Sequence, residues 1–226
     1  MSYFTRDFLN FFADLRLNND REWFQANKPR YEKAVKLPLE QFIAHAIDRL
    51  HLIDATFHTT TKESIFRIYR DTRFSNDKTP YKSHASAVLS KYGRKESSAG
   101  VGLYLELSDE GLSIYSGVYQ PDTKQLKNIR EAIAAHAEIF TELIQAPDFV
   151  SKFGGTIHGE RAKRLPKELA EAAIQQPLIY NKAFYYFHTF EPDTILQPNL
   201  LELVVEYYQA AQPLGDFLKK AIEEGA

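Results

Sequence analysis

The residues best suited to chemistry lie in one segment, Arg67-Ile68-Tyr69-Arg70-Asp71-Thr72-Arg73-Phe74-Ser75-Asn76-Asp77-Lys78-Thr79-Pro80-Tyr81-Lys82. Arg67, Arg70, Arg73, Lys78 and Lys82 face only Asp71 and Asp77, a local excess of three positive charges in a chain whose net charge is -2. Guanidinium groups held close together repel unless an anion or a carboxylate lies between them, and their planar forks match phosphate and carboxylate oxygens. Two readings follow. In one, Asp71 and Asp77 neutralise the arginines in a structural network that pins a long loop to a sheet. In the other, the segment is an anion site, with Tyr69, Phe74 and Tyr81 interleaved among the cations as stacking surfaces. If a strand runs through Arg73, residues 67, 69, 71 and 73 share one face and Arg70 points the other way. Asp71 would then be held ionised below its ordinary pKa by its cationic neighbours, making it a poor general base and an orienting group instead.

Other chemistry finds little support. The histidines (His45, His51, His58, His84, His136, His158 and His188) form no H-E-x-x-H pair and no close cluster with ligand spacing, so no metal site is expected. Adjacent glycines occur only at Gly154-Gly155, and the one Gly-x-Gly, Gly100 and Gly102, precedes a strand, so neither a P-loop nor a dinucleotide turn is available. A nucleophile elbow is missing, and no serine is placed by sequence beside a base. With no cysteine, thiolate nucleophiles, thiolate metal sites and disulfides are all excluded. No cofactor is expected.

The elements that must position the segment follow from periodicity. Phe4, Phe8, Phe11, Phe12 and Leu15 predict an amphipathic helix capped at Thr5 and ended by Asn18-Asn19-Asp20. A second helix starts near Asp20 and carries Trp23, Phe24 and Tyr31 until Pro38 breaks or kinks it; Leu39, Phe42, Ile43, Ala46, Ile47 and Leu50 then trace another buried stripe. Residues 65–70 read as a strand, as do 84–90. Residues 101–107 and 112–119 alternate with period two around Ser108-Asp109-Glu110-Gly111 and predict a hairpin. On it, Tyr104, Glu106, Tyr115, Gly117 and Tyr119 oppose Leu103, Leu105, Ile114 and Val118. That tyrosine face either packs under helices or floors a pocket rimmed by the arginine segment. Asp122 and Gln125 form a capping-box start for a helix through Leu126, Ile129 and Ile133, and Ile139 to Ile144 continue the helical pattern to Pro147. Residues 154–166 carry too many glycines and basic groups for regular structure. Residues 183–188 read as a strand, and two helices, through 200–208 and 214–222, close the chain. The expected fold is α+β: a single domain over 1–226, with an antiparallel sheet built on a central hairpin and flanked by helices from both chain ends.

Composition bounds the function. The chain is 44% hydrophobic and 26% charged, the range of a globular protein with a real core, and 28 Lys+Arg against 30 Asp+Glu argue against a surface that binds polyanions everywhere. The N-terminal residues mix charges among the apolar ones, and no run approaches membrane-spanning length. A cytoplasmic protein with no membrane partner is expected.

Three stretches carry a resemblance: Asn18-Asn19-x-Arg21-Glu22-Trp23-Phe24, then Arg67-x-Tyr69-Arg70-Asp71-x-Arg73-Phe74-Ser75-x-Asp77-Lys78-x-Pro80-Tyr81-Lys82, then Gly117-x-Tyr119-x-Pro121. Their order resembles the uncharacterised family labelled domain of unknown function 2461, over nearly the whole chain. Leu165-Pro166 and Lys182-x-Phe184 also fit, while residues 161–168 depart from the pattern in lacking a glycine after the Pro-Lys step. The resemblance implies a single α+β domain and brings no activity, cofactor or catalytic residue.

Three functions stay open on the sequence. The first is a site for a small phosphate- or carboxylate-bearing molecule, with or without catalysis, formed by Arg67, Tyr69, Arg70, Asp71, Arg73, Asp77, Lys78, Tyr81, Lys82 and Tyr119. The second is a nucleic-acid-binding module of weak, short footprint, in which the same cations meet phosphates and the aromatics stack on bases. The third is a protein-interaction domain whose Arg/Asp network is purely structural.

Overall fold

Helices gather at both ends of the sequence and four strands lie between them, in a computed structural model that describes residues 2–73, 75–91, 93–95 and 102–224. Phe74, Gly100 and Val101 lie outside the described residues. The strands are β1 (Ala85–Leu89), β2 (Leu103–Ser108), β3 (Gly111–Val118) and β4 (Phe184–Phe190), hydrogen-bonded in that order into one antiparallel sheet. The fold is therefore α+β, with the expected hairpin in β2 and β3. Buried Leu103, Leu105, Leu107, Ile114 and Val118 alternate along it with half-buried Tyr104, Glu106, Tyr115 and Gly117.

The described residues divide into two compact units, each drawn from three stretches of chain. The first comprises 1–93, 104–114 and 189–205. Its opening helix α1 (Arg6–Leu17) buries Phe8, Leu9, Phe11, Phe12 and Leu15. Thr5 stands at the cap position, but its side chain accepts no hydrogen bond; its carbonyl takes the amide of Phe8 instead. Next come α2 (Arg21–Ala26), capped by the Asp20 carboxylate on the Trp23 amide, and the short α3 (Lys28–Tyr31). Of the break or kink expected at Pro38, the break does not occur. Residues 32–36 widen into one π-helical turn that runs on without a break into α4 (Leu37–Ile53), and the widened turn precedes Pro38. The stripe Leu39, Phe42, Ile43, Ala46 and Leu50 is buried. A short α5 (Thr61–Ser64) follows.

The second unit comprises 94–103, 115–188 and 206–226. The Asp122–Gln125 capping box forms in full and starts α6 (Thr123–Ala135), which buries Ile129 and Ile133. Helix α7 (Ala137–Gln145) ends before Pro147 as expected, yet Pro147 opens a further helix, α8 (Pro147–Phe153), which the sequence analysis does not foresee. Proline at a first helical position ends one helix and starts the next. A one-turn helix, α9 (Ala172–Gln175), precedes β4. The two expected closing helices are one, α10 (Leu200–Glu224), with Pro213 inside it. Proline removes one helical hydrogen bond and crowds the preceding turn. Nearby, the buried Tyr186 hydroxyl donates to the Ala211 carbonyl at 3.0 Å, and Leu214 and Leu218 remain buried beyond the proline.

Gly117 has φ of +90°, and a Cβ there would stand 2.2 Å from the Phe184 carbonyl oxygen. Both the conformation and the close approach require glycine. Gly117→Ala is expected to lower stability by roughly 2–4 kcal/mol, measured by denaturant unfolding; an unchanged midpoint would contradict this packing.

Candidate functional site

The segment predicted as a strand over 65–70 is not one. It pairs through isolated antiparallel bridges, Ile65 with Ala87 and Tyr69 with Tyr81. Its backbone bonds are spaced apart, Phe66 N–H to Ser86, Arg70 N–H to Pro80 and Lys82 N–H to Ile68. Pro80 has no amide to give, so a regular ladder cannot run past it. The period-two exposure survives nonetheless. Arg67, Tyr69, Asp71 and Arg73 are exposed, while Ile68 is buried and Arg70 and Thr72 are half-buried.

The charges then sort into local pairs. Arg73 makes a forked contact with Asp71, Nε to Oδ1 at 2.9 Å and Nη2 to Oδ2 at 2.7 Å. This contact holds the Asp71 carboxyl down at about 2, with a smaller contribution from the charge of Arg67. Asp71 thus pairs with Arg73 alone among the arginines, and its carboxyl is lowered as expected. Arg70 turns the other way and donates to Asp77 and to the Thr79 hydroxyl. The Asp77 carboxyl is likewise lowered to about 2, first by Arg70 and then by the Thr79 amide and hydroxyl. Lys78 Nζ donates to the Thr72 carbonyl at 2.9 Å, closing the loop on itself.

Tyr81 is buried beneath this loop. Its ring stacks on Phe24 with centroids 4.0 Å apart, and its backbone is gripped by the Asn19 side chain. Asn19 Nδ2 donates to the Tyr81 carbonyl at 3.0 Å, and the Tyr81 amide donates to Asn19 Oδ1 at 3.1 Å. Phe24 in turn meets Phe11 of α1 and Tyr31. Burial is the main cause that raises the Tyr81 hydroxyl, helped by Tyr69, while the charge of Arg21 lowers it.

This arrangement opens a cleft of about 350 Å³ lined by Arg21, Gln25, Tyr69, Arg70, Thr72, Pro80 and Tyr81. Of the residues singled out from the sequence, the cleft collects Tyr69, Arg70 and Tyr81. Asp77 touches it through Arg70. Arg67, Asp71, Arg73 and Lys78 are not among its lining residues. Arg21 and Gln25, which sequence reasoning missed as site residues, stand on α2 at (i, i+4) spacing and so share one helix face. Arg21 lies in the Asn19-x-Arg21-x-Trp23-Phe24 stretch, but nothing local tied that stretch, or Gln25 next to it, to the arginine segment far along the chain. Arg21 is exposed and makes no ion pair among the described residues. Arg67 makes none either, though its charge acts on Asp71.

Lys82 belongs to a different cluster. Its Nζ lies 5.0 Å from the Phe66 ring centre and 3.5 Å from the buried Ser86 Oγ. Beyond it, His84 Nε2 lies 3.4 Å from Glu106 Oε1, which also accepts from the Tyr104 hydroxyl at 3.0 Å. Burial lowers the His84 pKa despite Glu106, and the Lys82 charge lowers it further, so the imidazole is neutral near pH 7. Tyr119 belongs to the second unit, where its ring meets Tyr185 edge-on at 5.2 Å. A larger, open hollow of about 650 Å³ is lined by Arg6, Leu9, Asn10, Ala13, Asp109, Glu191, Pro192 and Asp193. Its charges are already paired, Arg6 with Asp193 at 2.7 Å and Asp109 with Arg16 at 2.7 Å, which leaves Glu191.

Among the described residues no group of three His, Asp or Glu side chains could hold a metal ion, and no helix is long and apolar enough to cross a membrane. An α+β fold whose first-unit cleft joins the Asn19–Phe24 stretch to the arginine segment defines the class. The chain belongs to the family described as conserved hypothetical protein DUF2461, whose model matches residues 7–217. No curated protein and no solved structure matches it.

Two outcomes are expected. Asn19→Ala leaves the Tyr81 amide and carbonyl without their partners and should cost about 1–2 kcal/mol, read by denaturant unfolding; full stability would show that the grip is idle. The Asp77 carboxyl should titrate near pH 2 instead of at its ordinary 3.8. Its folded value lies below its unfolded one, so any stability from the pair with Arg70 is present above about pH 4 and fades as pH falls toward 2. Carboxyl NMR titration of wild type and Arg70→Met checks this: the variant's midpoint should rise, and an ordinary midpoint in wild type contradicts the pairing.

Proposed function

We propose that this protein binds a small phosphate- or carboxylate-bearing molecule in the cleft of the first unit. One observation carries the reading: Arg21, a cation with no carboxylate partner among the described residues, lines a concave site beside Arg70. An unpaired guanidinium there needs no counter-charge removed before an anion docks. Arg70 is partly neutralised by Asp77 and is fixed in place by it, so its role is to present a rigid donor at low ordering cost. The exposed Tyr69 ring offers a flat apolar wall, and Thr72 and Gln25 add polar side chains that can select the ligand's orientation. The volume sits at the small end of the range for ligand sites, which favours a metabolite over a polymer.

Isothermal titration with inorganic phosphate, pyrophosphate and phosphorylated small metabolites tests the reading. Arg21→Ala and Arg70→Ala should each weaken binding about tenfold or more, while Arg73→Ala, whose guanidinium is engaged by Asp71, should leave it within about twofold. Equal responses from all three variants would remove the cleft as the site.

A further inference from the structure

The floor of the cleft holds one more hydrogen-bond donor. Tyr81 is only 2% exposed, its ring stacked on Phe24 and its backbone held by Asn19. Its hydroxyl makes no hydrogen bond among the described residues, and it is not one of their sealed, unpartnered side-chain atoms, so the part of Tyr81 that stays accessible includes the hydroxyl. Tyr81 lines the cleft, and Tyr69, Arg21 and Asp20 act electrostatically on its hydroxyl. Tyr69 and Arg21 line the same cleft. Burial first, then Tyr69, raises the phenol above its ordinary value against the charge of Arg21, so it keeps its proton at neutral pH and can donate.

The donors of the cleft come from three directions. Arg21 stands on α2. Arg70 comes from the arginine segment, where Asp77 and Thr79 take its Nη1 while its Nε and Nη2 have no partner among the described residues. Tyr81 lies beneath that segment. Guanidinium groups carry donors and no acceptor, so the three side chains together call for an oxyanion.

Two kinds of anion meet such a set differently. A carboxylate offers two oxygens in one plane, enough to engage the guanidinium forks. With both forks engaged, the Tyr81 O–H would be covered and left without an acceptor, which costs the full desolvation of a buried donor. A phosphate monoester ends in three acceptor oxygens set as a tripod, one for each direction. We propose, resting on the anion reading of this cleft, that the site selects a phosphate monoester over a carboxylate and that the Tyr81 hydroxyl is the group that makes the selection.

Isothermal titration with phenyl phosphate and with benzoate, which share a ring and differ in the anionic group, tests this. Wild type should bind phenyl phosphate about tenfold or more tightly than benzoate. Tyr81→Phe keeps the ring on Phe24 and the backbone bonds to Asn19, so its unfolding midpoint should stay close to that of wild type. The variant should bind phenyl phosphate about tenfold more weakly and benzoate as well as before or better, which erases the preference. In wild type, where no substitution intervenes, the Tyr81 Cζ NMR signal should move with phenyl phosphate more than with benzoate. Arg21→Ala should weaken both probes. Equal affinities in wild type, a preference that Tyr81→Phe leaves intact, or a Tyr81 signal that moves equally with both probes overturns selection by Tyr81; binding that Arg21→Ala still weakens then keeps the cleft as the anion site. No saturable response to either probe, or responses that Arg21→Ala leaves unchanged, removes the anion site itself and the selection with it.

Discussion

The first unit turns on how Asn19, Phe24 and Tyr81 hold one another. A side-chain amide carries one donor group and one acceptor, and Asn19 spends both on the backbone of Tyr81, so the chain at that residue is fixed much as a strand partner would fix it. The Tyr81 ring, laid flat on Phe24, adds apolar burial to the same contact. Because Phe24 sits on α2 and touches Phe11 of α1, the first two helices help set the position of the arginine segment, together with the bonds that Ile65 and Phe66 make to β1. The cleft is the space left where that segment turns over α2. Its unpaired cation comes from the helix and its aromatic wall from the segment.

The five clustered cations illustrate how a charge excess is handled when a ligand is absent from the fold's own accounting. Arg73 and Arg70 each take the nearest carboxylate, Lys78 takes a backbone carbonyl, and Lys82 turns toward Phe66 and Ser86. These pairs are exposed on one or both sides, so screening keeps their contribution to stability small and their value is in fixing loop geometry. Arg67 of this segment and Arg21 of the cleft make no ion pair among the described residues. The network and site readings of the segment therefore apply to different residues. Asp71 and Asp77 act as structural partners, and the anion reading rests on α2.

Much of the fold was legible because its signals are local. The hairpin over 103–118 follows from strict alternation, the helix at 123 from a capping box, and α1 from five apolar residues on one stripe. Prolines misled where context outweighed them. Pro38 was absorbed by a π-helical turn, Pro147 opened a helix, and Pro213 stayed within α10, whose buried residues on both sides favour one continuous element. At the site, β-branched and aromatic residues over 65–70 suggested a strand, but Pro80 opposite denied it a ladder. Tyr69 and Arg70 were singled out by their own segment. Arg21 and Gln25 escaped notice because the contact that makes them site residues is long-range, carried by Asn19 and Tyr81.

The central claim is that the pocket over Tyr81, not the wider run of cations, receives the anion. NMR shift mapping on the labelled protein during titration with inorganic phosphate measures this most directly. The account predicts saturable shifts concentrated at Arg21, Gln25, Tyr69, Arg70 and Thr72, with the Arg21 guanidinium signal moving most. Shifts spread over Arg67, Arg73, Lys78 and Lys82 in proportion to exposure, or none that saturate, would contradict it.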